Sequence, residues 1–261
     1  MTENNCRVVA VANQKGGVGK TTTALNLAAG LAELNRRVLL IDMDPQGNSS
    51  TGAGLELEPH EPTVCEVLLK ERPADQVIRR IEGMGIDLLP ANGDLTAAEV
   101  ALMEVEDRAH VLKSQIEGLR ALYHHIIIDC PPALNVLTLN ALTAADGVLI
   151  PMQCEYYALE GLTALTSTIE QIQDSVNPAL EIEGLVRTMY DVRNNLSGAV
   201  SRQLQEHFGD KVFATVIPRN VRVAEAPSYG QSVIQYDRES RGAIAYLGLA
   251  GEYLRRRSVP A

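Results

Sequence analysis

Short apolar runs alternate along the chain with segments whose apolar residues recur at helical spacing. The runs fall at Arg7–Ala12, Arg37–Asp42, Ile86–Leu89, His125–Asp129, Val148–Pro151, Gly184–Met189 and Val212–Ile217. Each has the length of a strand. A helix is predicted over Thr21–Leu34, with Leu25, Leu27, Ala28, Leu31 and Ala32 on its buried side. Further helical stretches are predicted near 63–70, 95–121, 135–145, 159–175, 197–208 and Gly242–Arg257, and the Gly-, Ser- and Pro-rich segment 45–62 reads as a loop. Regular strand–helix alternation implies an α/β fold, a mostly parallel twisted sheet with helices on both faces. With no repeat, low-complexity tract or linker, the chain reads as one domain over 1–261 with residues 1–6 as a flexible lead.

Composition supports that picture. The 261 residues are 46% hydrophobic and 21% charged, enough for a sizeable core. Trp is absent and Phe occurs twice, so the core rests on Val, Ile, Leu and Ala, as in strands buried on both faces. A net charge of −10 argues against a surface that binds nucleic acid all over. The charge is uneven, however: residues 1–184 hold 12 basic against 26 acidic residues, and 185–261 hold 11 against 7. Any contact with a polyanion is expected on the C-terminal third. Cys6, Cys65, Cys130 and Cys154 form no C-x-x-C pair and read as reduced thiols outside any metal site. The polar N-terminus lacks signal-peptide character, and no apolar run approaches the roughly 18–20 residues of a membrane span. These features predict a soluble, cytoplasmic protein.

The chemistry concentrates behind the first run. Lys15-Gly16-Gly17-Val18-Gly19-Lys20-Thr21-Thr22 lies between a strand and a helix. It fits the phosphate-loop pattern G-x-x-x-x-G-K-[ST], except that Gln14 stands at the first glycine position. Glycines let successive backbone N–H groups turn toward phosphate oxygens, and the helix N-terminus adds its positive end. Lys20 is placed to reach the β- and γ-phosphates, and the Thr21 hydroxyl to ligate Mg²⁺. Asp42 and Asp129 end separate apolar strands, which puts them at the carboxyl edge where ligands bind in open α/β sheets. Asp129 fits the carboxylate that holds Mg²⁺ through water, although a lone strand-end Asp also serves as a turn or cap. Strand alternation predicts that Asp42 and Asp44 point the same way; position and polarity do not separate their roles.

Lys15 at the mouth of the loop resembles the deviant Walker A motif of the ParA/MinD ATPases, which implies a P-loop NTPase architecture. Pro131-Pro132, Met152–Gly161 and Thr188-Met189-Tyr190-Asp191 are similar to the chromosomal ParA (Soj) subgroup, and the resemblance runs from Asn13 to about Glu252. It implies ATP and Mg²⁺ as ligands and a homodimer in which Lys15 reaches the other subunit's phosphates. It also implies water activation by Asp44, support of the Mg²⁺ shell by Asp42, and adenine contacts from Pro218 and Asn220. On residue type alone, Pro218 to Asn220 is equally a rigid turn, and Gln46 a turn residue.

The resemblance further implies slow ATP hydrolysis stimulated by a ParB-type partner, non-specific double-stranded DNA binding by the ATP-bound dimer, and association with the nucleoid. Arg193 and Arg222 match the family's DNA-contacting arginines; charge balance adds Arg187 and Arg202, although scattered arginines are ordinarily solvated surface. Only about six residues precede the first strand, so no N-terminal helix-turn-helix domain and no operator binding is expected. Two rivals remain. A MinD-like membrane ATPase would use Tyr246–Arg257 as an amphipathic tail, but two glycines, Glu252 and the lack of a bulky face weigh against it. A metabolic relative, such as a nitrogenase iron protein or a dethiobiotin synthetase, would need cluster cysteines or a substrate pocket that no motif supplies.

Overall fold

The computed structural model describes residues 6–258. Of the expected flexible lead, residues 1–5 lie outside the described residues, and Cys6 is buried. Eight strands form one sheet: β1 (Arg7–Val11), β2 (Val38–Asp42), β3 (Arg79–Ile81), β4 (Ile86–Leu89), β5 (His125–Asp129), β6 (Gly147–Gln153), β7 (Glu181–Tyr190) and β8 (Val212–Pro218). Their spatial order is β3-β4-β2-β5-β1-β6-β7-β8. All neighbours are parallel except the β3–β4 pair. The antiparallel β3 escapes the hydrophobic pattern because it is only Arg-Arg-Ile, a short charged strand of the kind that blunts a sheet edge.

Successive residues of each central strand enter opposite layers. Val8, Ala10, Leu39, Ile41, Ile126 and Ile128 belong to one core cluster. Val9, Val11, Val38, Leu40 and Ile127 belong to the other. Helices Leu95–Leu102, Val111–Ile116, Val136–Ala144 and Ala158–Ser175 cover the first layer. Helix α1 (Lys20–Glu33) and the C-terminal helix Arg241–Ser258 cover the second. The latter buries Tyr246, Leu249, Ala250 and Tyr253 against the sheet. Its arginines are engaged as well: Arg256 pairs with Glu252 at 2.8 Å and lies over the Phe213 ring, and Arg257 pairs with Glu183 at 3.1 Å. The segment weighed as a membrane tail therefore spends its apolar face on the domain. Among the described residues, no helix is long and apolar enough to cross a membrane.

Two stretches differ from the sequence pattern. The helix predicted over 95–121 is broken, because the Asn140 side chain donates to the Arg108 carbonyl and accepts from the Leu112 N–H. These bonds hold an acidic connector between two shorter helices. The predicted loop 45–62 contains the helix α2 (Asn48–Gly52), whose Ser49 and Ser50 turn out to be central to the site.

Helix α1 and the C-terminal helix approach closely at Gly30, where a Cβ would lie 2.9 Å from Ala250 Cβ. Alanine there gains about 1 kcal/mol of helix propensity but overpacks a contact at a cost of roughly 1–3 kcal/mol. Gly30→Ala is expected to lower stability in urea, and Ala250→Gly to restore part of the loss as a coupling above about 0.5 kcal/mol in a double-mutant cycle.

His125, at the start of β5, sits edge-on to Tyr253. Burial, reinforced by Arg257 and Arg36, pushes its pKa down to about 4. A base depressed in the folded state lends stability that is complete above its ordinary value near 6.5 and is lost as pH falls toward 4. Between pH 7.5 and 5 the wild type is expected to lose about 2 kcal/mol more than His125→Gln, as read from urea midpoints.

Candidate active site

The loop after β1 owes its shape to two glycines and two distant anchors. Gly17 and Gly19 have φ of 73° and 88°, where a side chain is strained. Gly19 caps α1 without a side-chain bond, which leaves the helix's first N–H groups directed at the loop. The entry is fixed by Asn13, whose Nδ2 donates to the Pro151 carbonyl at 2.8 Å and whose Oδ1 accepts from Lys15 N at 3.0 Å. The far side is fixed by Thr188 on β7, whose hydroxyl donates to the Val18 carbonyl at 2.7 Å. Gly16 and Gly17 border open space, with no atom within 4 Å of a Cβ placed on either.

The two lysines do different things. Lys20 is 7% exposed and donates to the Lys15 carbonyl at 3.2 Å. Burial pushes its pKa down, and Asp129 and Asp44 pull the other way. Lys15 turns away from its own loop, 44% exposed, and pairs with Glu155 at 2.5 Å.

The carboxylates are brought together by register. β2 and β5 are neighbours and pair Asp42 directly with Asp129, while β1 runs along the other side of β5. Both aspartates are fully buried. Asp42 accepts from the N–H and hydroxyl of Ser50, at 2.9 and 2.8 Å, and from Asp44 N at 3.1 Å. Asp129 Oδ2 accepts from the Ser49 hydroxyl at 2.8 Å; its Oδ1 is buried without a hydrogen-bond partner. Both pKa values are raised, chiefly by burial and then, for Asp129, by the charge of Asp42. Helix α2 supplies both serines, and Gly47 lets it begin there. Gly47 has φ of 62°, and a Cβ on it would come within 2.7 Å of the Ala91 carbonyl.

Asp44 lies beyond the end of β2 at Asp42, so strand alternation does not govern it. Asp42 lies beneath the site, whereas Asp44 lines a cavity of about 600 Å³ with Gly17, Lys20, Thr21, Thr22 and Pro131. Asp44 Oδ1 accepts from Gln46 N at 3.0 Å. Met189 closes the far wall, with φ of 47°, an uncommon conformation for a residue with a side chain.

The remaining sequence candidates are more scattered. Pro218 lines a separate cavity of about 700 Å³ with Tyr190, Arg193 and Arg219, and Asn220 accepts from Val223 N at 3.2 Å to cap helix Val221–Glu225. The structure does not place these two in the cavity of the glycine loop. Arg193 is 84% exposed and pairs with Asp191; Arg222 is half-exposed between Glu225 and Asp237. Arg202 is exposed on helix Asn195–Phe208. Arg187 corrects the expectation of a surface contact. It is 5% exposed, and its guanidinium donates to the Ser201 hydroxyl and to the carbonyls of Phe213 and Ala214. Its charge is consumed in joining β7 to β8.

Sequence reasoning missed Asn13, Ser49, Ser50 and Thr188. Asn13, two residues ahead of the backbone group it caps, carries a local turn signal. Thr188 lies 170 residues from its partner; it stands in a family-like stretch, but nothing in the sequence ties it to the loop.

Among the described residues no three His, Cys, Asp or Glu side chains gather as a metal cluster, so a cation here would draw its remaining ligands from Thr21, water and a bound phosphate. A glycine loop opening a helix, with a buried lysine and strand-end carboxylates on a parallel sheet, defines a P-loop nucleotide-binding protein. Residues 6–182 match the family described as an AAA domain. The chain is 52% identical to the chromosome partitioning protein ParA of Caulobacter vibrioides over 258 residues, covering 98% of this chain and 97% of that one. It is 48% identical to the sporulation initiation inhibitor protein Soj of Bacillus subtilis over 246 residues, 94% and 97% of the two chains. Among solved structures, cobyrinic acid a,c-diamide synthase from Mycobacterium smegmatis with bound ADP and magnesium superposes with a TM-score of 0.85, at 40% identity over 97% of this chain and 96% of that one. The chain belongs to the ParA/Soj family of chromosome-partitioning P-loop ATPases.

The adjacent buried carboxylates cost stability while both are ionised. Removing one charge relieves this, so Asp129→Asn is expected to raise the stability of the nucleotide-free protein at pH 8 by about 1–3 kcal/mol, measured by urea unfolding. A less stable variant would show that the two carboxylates do not oppose folding.

Proposed function

We propose that the protein is a ParA-type switch in which ATP and Mg²⁺ license a homodimer that holds DNA non-specifically until hydrolysis releases it. The observation that carries this reading is the divergence of the two loop lysines. Lys20 is turned inward on its own loop, whereas Lys15 projects outward to Glu155. A lysine at the mouth of a phosphate loop that does not serve its own loop is available to a second subunit.

The N–H groups of Gly16 to Thr22 and the Lys20 ammonium would bind the phosphates. The Thr21 hydroxyl and Asp129, whose Oδ1 lacks a partner, fit the ligand sphere of Mg²⁺, with Asp42 supporting it through the α2 serines. When bound, the cation would neutralise phosphate charge and relieve the repulsion between the two aspartates. Asp44, lining the same cavity, would orient the attacking water. Lys15 from the opposite subunit would stabilise charge as the terminal phosphate departs. Pro218 and Asn220, at the adjoining strand end, would meet the adenine once the base extends from the cavity.

Arg193, Arg202 and Arg222 would supply phosphate contacts on DNA after exchanging their carboxylate neighbours for the polyanion. A ParB-type partner would accelerate an otherwise slow hydrolysis, and the ATP-bound form would be found on the nucleoid. The membrane reading is disfavoured by the packed C-terminal helix.

The decisive experiment is retention of the protein on double-stranded DNA with ATP, with ADP and without nucleotide, across a salt series. Retention is expected with ATP alone and should fall steeply with salt. Lys20→Ala is expected to abolish it. Asp44→Ala should persist on DNA with hydrolysis reduced by about 100-fold or more. Equal retention with ADP and ATP would refute the switch, and wild-type hydrolysis by Asp44→Ala would remove that residue from water positioning. An amide-forming enzyme, as the M. smegmatis name describes, would show no ATP-dependent retention.

A further inference from the structure

The two buried aspartates are not served alike. Asp42 has both oxygens satisfied: Oδ2 accepts from the N–H and the hydroxyl of Ser50, and Oδ1 accepts from Asp44 N. Asp129 accepts from the Ser49 hydroxyl on Oδ2 at 2.8 Å, while its buried Oδ1 has no hydrogen-bond partner. A carboxylate buried for structure alone is expected to have both oxygens paired. Asp129 is instead fixed on one side and bare on the other. The Thr21 hydroxyl lies near enough to favour its ionised form, yet without a hydrogen bond to Oδ1.

Ser49 reaches Asp129 from a helix that other contacts hold in place. The hydroxyl of Ser50, besides donating to Asp42, accepts from Ala91 N at 3.0 Å. Gly47, at the start of α2, lies so near the Ala91 carbonyl that a Cβ would clash with it. At the other end, a Cβ on Gly52 would meet Leu25 of α1 at 3.5 Å and Pro227 at 3.6 Å. Both serines are buried, Ser49 completely. Ser50 thus braces the helix, and the cost of ordering the Ser49 hydroxyl is met largely by contacts other than its own.

We infer that Ser49 is a positioning residue for the cation: its hydroxyl fixes the Asp129 carboxylate and leaves Oδ1 free for Mg²⁺ or a water of its shell. A carboxylate without that bond can rotate about its Cβ–Cγ axis and must be ordered again when the cation arrives. Hydrogen bonds behind a ligand set metal affinity in this way. Ser49 should therefore govern how tightly the nucleotide complex holds Mg²⁺, and not how tightly the loop holds the nucleotide. The inference rests on the role proposed above for Asp129.

The test titrates Mg²⁺ into the full chain bound to a fluorescent ADP, with affinity for the same ADP also measured in EDTA. Ser49→Ala is expected to raise the half-saturating Mg²⁺ concentration roughly tenfold, with ADP affinity in EDTA within about twofold of wild type. Ser49→Cys keeps the volume but offers a weak donor, and is expected to shift the midpoint in the same direction by less. Should the alanine variant fail to fold in urea controls, the cysteine variant carries the comparison. An unchanged Mg²⁺ midpoint in the folded Ser49 variants overturns the inference. Equal loss of ADP affinity with and without Mg²⁺ also overturns it, because that pattern marks damaged packing. Asp129→Asn, titrated alongside, separates the two claims. A wild-type midpoint in that variant removes Asp129 from the cation and with it the basis for Ser49's role. A raised midpoint there beside unchanged Ser49 variants refutes Ser49 alone.

Discussion

The pairing of Asp42 with Asp129 across β2 and β5 is the constraint around which the molecule is arranged. Two carboxylates on adjacent parallel strands, both fully buried, repel each other in a medium that screens poorly. The protein tolerates them by surrounding them with donors. The α2 serines and the Asp44 N–H serve Asp42 and one oxygen of Asp129, and the Lys20 ammonium lies close enough for Asp129 and Asp44 to oppose the lowering of its pKa by burial. One carboxylate oxygen is left over. A site that is electrostatically incomplete by itself, and that opens on a glycine loop, is organised to be completed by a cation and a polyphosphate.

The sheet's topology makes that arrangement rigid. β1 and its loop lie one strand from Asp129 and two from Asp42, so all three strand ends meet at one edge without any long excursion of the chain. The strands beyond β1 contribute differently. β6 lends the Pro151 carbonyl to Asn13, and β7 lends the Thr188 hydroxyl to Val18. The loop is thus held from outside, and its own backbone N–H groups remain available. Met189, next along β7, takes a strained backbone conformation where it closes the cavity; strain of this kind persists only where surrounding structure enforces it.

Much of this was legible in the chain. The apolar runs ending in Asp42 and Asp129 gave strand, edge and carboxylate together, because a parallel strand buried on both faces must be apolar up to the point where it leaves the sheet. The Lys15 to Thr22 loop was equally clear, since its glycines and lysines serve a local geometry. What stayed hidden was whatever depended on the third dimension. Ser49 and Ser50 looked like loop residues because nothing local shows that their hydroxyls face two buried acids. Arg187 looked like surface because charge counting cannot see a strand's inward face. Asn140 holds the start of a second helix, 28 residues from Leu112, where periodicity alone would have continued the first.

The four cysteines have a practical bearing. All are free and buried, and burial is the largest cause raising the pKa of each thiol, which keeps them in the unreactive protonated form. The native chain is therefore a quiet background for thiol chemistry. A single cysteine introduced at an exposed position such as Val192 would be modified ahead of the natural ones. Spin or fluorescent labels could then be placed one at a time while all four natural thiols are kept.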